Sequence, residues 1–103
     1  MGQIKSKPFY AELVEHYFRM AVRYSIVPDG VQLHWFDFTT FWIEGLPKED
    51  KEFIHFVFKR QFINTNDGLY HFKCDYGLSI KRERLWELEK RFAVDAELVG
   101  EVN

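Results

Sequence analysis

Apolar residues recur three and four positions apart in segment after segment of this chain, and Gly and Pro interrupt the pattern between segments. That spacing belongs to one face of a helix, with its period of about 3.6 residues. Leu13, Tyr17, Met20, Ala21 and Tyr24 mark one stripe across residues 9–24. Phe53, Ile54, Val57, Phe58 and Phe62 mark a second. Leu69, Phe72 and Tyr76 mark a short third, and Leu85, Leu88, Phe92 and Ala96 or Val99 a long fourth over residues 80–99. Residues 31–42 alternate in part, as a strand does, but no second strand is available to pair with them. A helix from about Trp35 or Asp37 to Glu44, stopped by Gly45, is therefore preferred. The expectation is an all-α protein: four to five helices in one small domain, residues 1–103, ending in a helix-turn-helix-like pair.

Local chemistry sets the expected boundaries. Ser6-Lys7-Pro8 suits a helix start, with Pro8 in the first turn, and Pro28-Asp29-Gly30 reads as a turn. Pro47 opens the next helix, with Glu49 and Asp50 in its first turn and Lys59 and Arg60 in its last. Asn64-Thr65-Asn66-Asp67-Gly68 reads as a loop. Gly77 is the expected C-cap of the short helix and Ser79 the N-cap of the long one. Asp95, Glu97 and Glu101 oppose the dipole at the C-terminal end, so that tail is expected to fray.

One domain of 103 residues must build its core economically, and aromatic residues make up 18% of it. Each ring buries about 150–250 Å². The expected core is Leu13, Tyr17, Met20, Trp35, Phe38, Trp42, Phe53, Ile54, Val57, Phe58, Leu69, Phe72, Leu85, Leu88 and Phe92. No apolar run approaches the ~20 residues of a membrane span. No apolar segment follows Pro8, so no secretory signal is expected. Cys74 is the single cysteine, which excludes an internal disulfide, and a cytoplasmic location is expected. The net charge of −2 excludes attraction of the whole protein to nucleic acid; any DNA binding must come from a local patch.

Such a patch is present. A short helix, the turn Gly77-Leu78-Ser79 and a longer basic helix follow the order of a helix-turn-helix. The second helix of that motif enters a major groove about 12 Å wide, with polar and basic side chains outward and an apolar face toward its domain. Lys81, Arg82 and Arg84 meet the first need, and Leu85, Leu88 and Phe92 the second. Glu83, Glu87 and Glu89 alternate with the basic residues, so the same face could also be ordinary charge pairing.

The stretch Leu46-Pro47-Lys48-Glu49-Asp50-Lys51-Glu52-Phe53-Ile54 resembles the opening of region 4 of bacterial sigma factors. Arg82-Glu83-Arg84-Leu85-Trp86-Glu87-Leu88-Glu89-Lys90-Arg91-Phe92-Ala93 resembles the recognition helix of that region. The layout is similar to that of small phage-encoded transcriptional activators of the autolysin-regulator type, with residues 46–99 as the sigma-region-4-like portion. The resemblance implies a phage or prophage transcriptional regulator that reads duplex DNA through its C-terminal basic helix. It places Arg82 and Arg84 on bases, with Lys81 and Lys90 on phosphates and Ser79 beside them. It also implies contact with RNA polymerase, and the N-terminal helix and aromatic segment would serve that contact or a homodimer. Where the family carries a small residue between the two helices, the matching position is about Lys73.

Other constellations are thinner. His71 and Cys74, with His55 or Asp75, are too few for a zinc site, and no metal or other cofactor is expected. Glu12, Glu15 and His16, with Asp37 or Glu44, could supply an acid and a base. No nucleophile elbow, P-loop, dinucleotide fingerprint or zincin motif accompanies them, and no enzymatic activity is expected. The aromatic run Leu33 to Trp42 has no interleaved Lys or Arg for nucleic-acid stacking, and core packing is its expected role. The alternative function is a protein-interaction module, a small phage protein that binds a host protein through an aromatic surface. The overall acidity, Glu49-Asp50-Lys51-Glu52 and the aromatic excess suit it.

Overall fold

The computed structural model describes residues 7–23 and 30–99. They form five helices: α1 (Ala11–Arg23), α2 (Val31–Glu44), α3 (Lys48–Val57), α4 (Thr65–His71) and α5 (Leu78–Asp95). The protein is all-α, as the spacing predicts. Among the described residues, no helix is long and apolar enough to cross a membrane. Tyr24, Pro28 and Asp29 lie outside the described residues.

Helix α1 packs against α2 and α5, α3 against α4 and α2, and α4 against α5. At the centre, the Phe92 ring of α5 lies 5.2 Å from Phe18, 5.6 Å from Phe38 and 5.2 Å from Trp42, all edge-to-face. Phe18 in turn meets Phe58 at 5.5 Å. Offset and edge-to-face rings add to what burial alone contributes. A second aromatic group, in which Phe72 lies 5.0 Å from Phe53 and 5.4 Å from Phe56, joins α3 to the segment after α4.

Several boundaries differ from expectation. α2 begins at Val31, earlier than the spacing suggests, after Gly30 at φ +65°, a backbone that glycine adopts freely. Its alternating look has a packing cause: Trp35, Phe38 and Trp42 are half-buried on the core side, while Phe41 is 83% exposed. In α1 the buried residues are Ala11, Val14, Glu15, Phe18 and Met20. Met20 is buried as expected and Tyr17 and Ala21 pack partly against the core, but Leu13 is exposed and Val14 and Phe18 take the centre of the stripe. Both stripes of α1 have helical spacing, so periodicity alone does not choose between them. α3 ends at Val57, leaving Lys59 and Arg60 beyond it.

Residues 64–68 are not a loop. Asn64 caps α4, its Oδ1 accepting the Asp67 amide at 2.8 Å. Gly68 lies within the helix, where a Cβ would collide with the Val57 carbonyl of α3. The small residue that lets two helices approach is therefore Gly68, between α3 and α4, rather than the position near Lys73. Helix α4 stops at His71, and Gly77 and not Ser79 is the N-cap of α5. After Asp95 the chain does not continue as helix: the Leu98 amide donates to the Ala93 carbonyl at 2.8 Å and Glu97 to Val94 at 3.1 Å. This is a Schellman closure, with Glu97 at φ +59° in the place glycine usually takes.

Candidate nucleic-acid interface

The α4–α5 pair is joined through Lys81. Its side chain is buried, and Nζ donates to the carbonyls of Leu69 at 2.9 Å and Phe72 at 2.6 Å. Those carbonyls lie at the C-terminal end of α4, where backbone acceptors lack helical partners and the dipole favours a cation. Lys81 is thus a structural clamp, and the expected phosphate contact does not survive as part of the surface.

Arg84 is also committed to the fold. Nη2 and Nε donate to Asp50 Oδ1 of α3 at 2.6 and 3.2 Å, Nη1 donates to the Tyr76 hydroxyl at 2.8 Å, and the guanidinium lies 5.3 Å from the Phe53 ring centroid. The hydrogen bond to Asp50 raises the Arg84 pKa above its ordinary value, against the opposing effect of burial. The expected base contact is replaced by an α3–α5 tie, because Asp50 in the first turn of α3 lies within reach.

The remaining predicted residues stay at the surface. Ser79, in the first turn of α5, and Lys90, three turns on, are exposed. Arg82 is half-buried, and its Nη2 donates to Asn66 Oδ1 at 2.8 Å. Glu83 and Glu87 are exposed on the same helix, and Trp86 is half-buried between two hollows. One, of about 730 Å³, runs between α1, the start of α4 and α5, past Lys7, Glu15, Arg19, Arg82 and Trp86. The other, of about 700 Å³, is bounded by Pro8, Tyr10, Ile80, Glu83, Trp86 and Lys90. Sequence reasoning gave Trp86 and Ile80 no role; the signal was the inward stripe Leu85, Leu88 and Phe92, whose phase leaves Ile80 exposed and Trp86 half-buried on the outer side.

Beneath this face lies a buried acid. Glu89 is fully buried, and among the described residues no N–H or O–H group donates to either carboxyl oxygen; its polar neighbour is the Glu15 carboxyl, to which a protonated Glu89 can donate. Burial first, and then the neighbouring Glu15, push its pKa up to about 10. Glu89 is therefore neutral at pH 7. Glu15 is itself buried and accepts from Thr65 Oγ1 at 2.7 Å and Lys7 Nζ at 3.2 Å.

The thinner constellations separate. His71 Nδ1 sits 3.0 Å from the Asp67 carbonyl, His55 Nε2 3.2 Å from Glu44 Oε2, and Cys74 Sγ 3.5 Å from the Tyr76 carbonyl. Among the described residues, no three His, Cys, Asp or Glu side chains gather as metal ligands would. Glu44 pairs with Lys51 and His55 rather than with the Glu12–His16 group. Comparisons with protein-family models, with curated proteins and with solved structures find no match to this chain.

Proposed function

We propose that the protein is a small transcriptional regulator that binds duplex DNA through the outward face of α5. The observation that carries this reading is the Lys81 clamp, which makes α4 and α5 one rigid pair while Ser79, Arg82 and Lys90 stay on the outer side. A helix with its side chains is about 10–12 Å across, matching a major groove about 12 Å wide. Arg82 is the base-reading group, able to donate to guanine O6 and N7, and Ser79 and Lys90 hold phosphates. Glu83 and Glu87 repel phosphate and accept from cytosine N4, so they favour particular bases and add no general affinity. Contact with RNA polymerase belongs to the same proposal, with the N-terminal helix as its site.

A second reading is a protein partner on the same face. Ile80 is 54% exposed and flanks the Trp86 hollow, and Trp is enriched at protein interfaces. Fluorescence anisotropy of labelled duplexes, random and from the gene's own upstream region, separates the two across about 50–200 mM salt. DNA binding predicts affinity that falls steeply with salt and is tighter for the upstream duplex. Absence of binding at the lowest salt overturns the DNA reading in favour of the protein partner.

A further inference from the structure

A second positive surface lies on α1, away from every residue the sequence singles out for DNA. His16, Arg19, Arg23 and Arg60 surround a hollow of about 350 Å³ floored by Met20, with no acidic side chain in its wall among the described residues. Three guanidinium groups gathered in this way make a local positive patch on a chain of net charge −2. Arg23 is held rigidly, donating from Nε to the Phe58 carbonyl at 2.8 Å and from Nη2 to the Phe62 carbonyl at 2.9 Å. Arg60 Nη2 donates to the Arg23 carbonyl at 2.9 Å, and Arg19 Nη1 to Thr65 Oγ1 at 3.3 Å. A guanidinium has five N–H donors, so these bonds orient Arg19 and Arg60 without exhausting them.

We infer that this hollow is a phosphate-binding site, and that its ligand is the phosphodiester backbone flanking the duplex segment held by α5. The inference rests on the DNA reading for its source of phosphate, not for the site. Arg19 and Arg23 also line the larger groove that reaches Arg82 and Trp86, so arginines recur along the way from α5 to Arg60. The acids of that groove, Glu12 and Glu15, are both paired with Lys7, at 3.1 and 3.2 Å. Like-charge crowding is evident at Arg23, whose pKa is pushed down by burial first and then by Arg19 and Arg60. An arriving phosphate relieves that repulsion and accepts from planar donors suited to it.

The test compares the full chain with an Arg19→Gln, Arg60→Gln double variant on duplexes of about 12 and 30 base pairs, the shorter spanning about one helical turn. On the longer duplex the variant should lower the salt slope by about two and the affinity about tenfold at moderate salt, and on the shorter it should change neither. Amide shifts on titration with tripolyphosphate should appear around Arg19 and Arg60 in the wild type and vanish in the variant. An unchanged slope on the longer duplex overturns the flanking-backbone ligand while leaving the α5 reading standing. Tripolyphosphate shifts without any duplex binding overturn the α5 reading and make a free polyphosphate the ligand. Absence of both overturns both. If the double variant does not fold, Arg60→Gln alone, at an exposed position, should lower the slope by about one.

Discussion

The Lys81 ammonium of α5 donates to the Leu69 carbonyl of α4 at 2.9 Å, a bond across the turn of the motif. The same nitrogen takes the Phe72 carbonyl, so Lys81→Met leaves the end of α4 without its clamp. Hydrogen bonds to charged groups contribute about 1.5–3 kcal/mol, and stability should fall by about that amount. Urea unfolding measures it. A lysine acting on phosphate would instead leave the midpoint unchanged and lower the salt slope of DNA binding by about one.

Arg82 and Arg84 stand two residues apart and should behave oppositely. Arg82→Ala should weaken specific duplex binding by about 1–3 kcal/mol, with little change in unfolding midpoint. Arg84→Ala removes the Asp50 and Tyr76 bonds and should cost about 1 kcal/mol of stability. Paired anisotropy and denaturation curves on both variants decide this, and a base-reading loss confined to Arg84→Ala would reverse the assignment.

Glu89 makes stability fall as pH rises. Its folded pKa of about 10 lies above the ordinary carboxyl value of 4.5, so between those values the folded state keeps a proton that the unfolded state has lost. The Glu89 contribution is fully present below pH 4.5 and is lost as pH climbs toward 10. The slope attributable to this one group approaches about 1.4 kcal/mol per pH unit. Urea midpoints at mildly acidic, neutral and mildly alkaline pH should decline in the wild type and be flatter in Glu89→Gln. Equal slopes in the two proteins would show that Glu89 is ionised in the fold.

Gly68→Ala should destabilise, although Ala at an exposed helical glycine normally adds about 0.5–1 kcal/mol. Here the new methyl meets the Val57 carbonyl, and overpacking of this kind costs about 1–3 kcal/mol. Thermal unfolding gives the sign directly, and a raised midpoint would mean that α3 and α4 are not so closely packed.

Glu97→Gly should have the opposite effect. The residue sits at φ +59° in the closure of α5, where glycine carries no Cβ penalty. A left-handed backbone costs an ordinary residue about 1–2 kcal/mol, so the variant should gain part of that amount. Loss of stability would indicate that the Glu97 side chain contributes more than its backbone conformation costs.

The helices were legible where one face dominates. Phe53, Ile54 and Val57 in α3, and Leu85, Leu88 and Phe92 in α5, are buried as their spacing predicts. α1 was legible only in part because two adjacent stripes are both apolar: Met20 is buried as its spacing predicts, but burial falls on Val14 and Phe18 rather than Leu13. Residues 64–68 read as a loop because Asn, Asp and Gly favour turns, yet here Asn64 caps a helix and Gly68 answers to a neighbouring backbone. The candidate site was legible in location but not in the employment of each charge. Asp50 lies 34 residues from Arg84, and the Leu69 carbonyl 12 from Lys81, separations at which only the fold decides the partner.

Phe92 gathers rings contributed by α1 and α2, as far back as Tyr17 at 6.2 Å. During synthesis those earlier helices leave the ribosome without the residue their rings surround. The ring packing of the first two helices is completed only when Phe92 has been added. A nonsense codon just before Phe92 would therefore remove far more than the last turns of α5: it would deprive Tyr17, Phe18, Phe38 and Trp42 of their common neighbour.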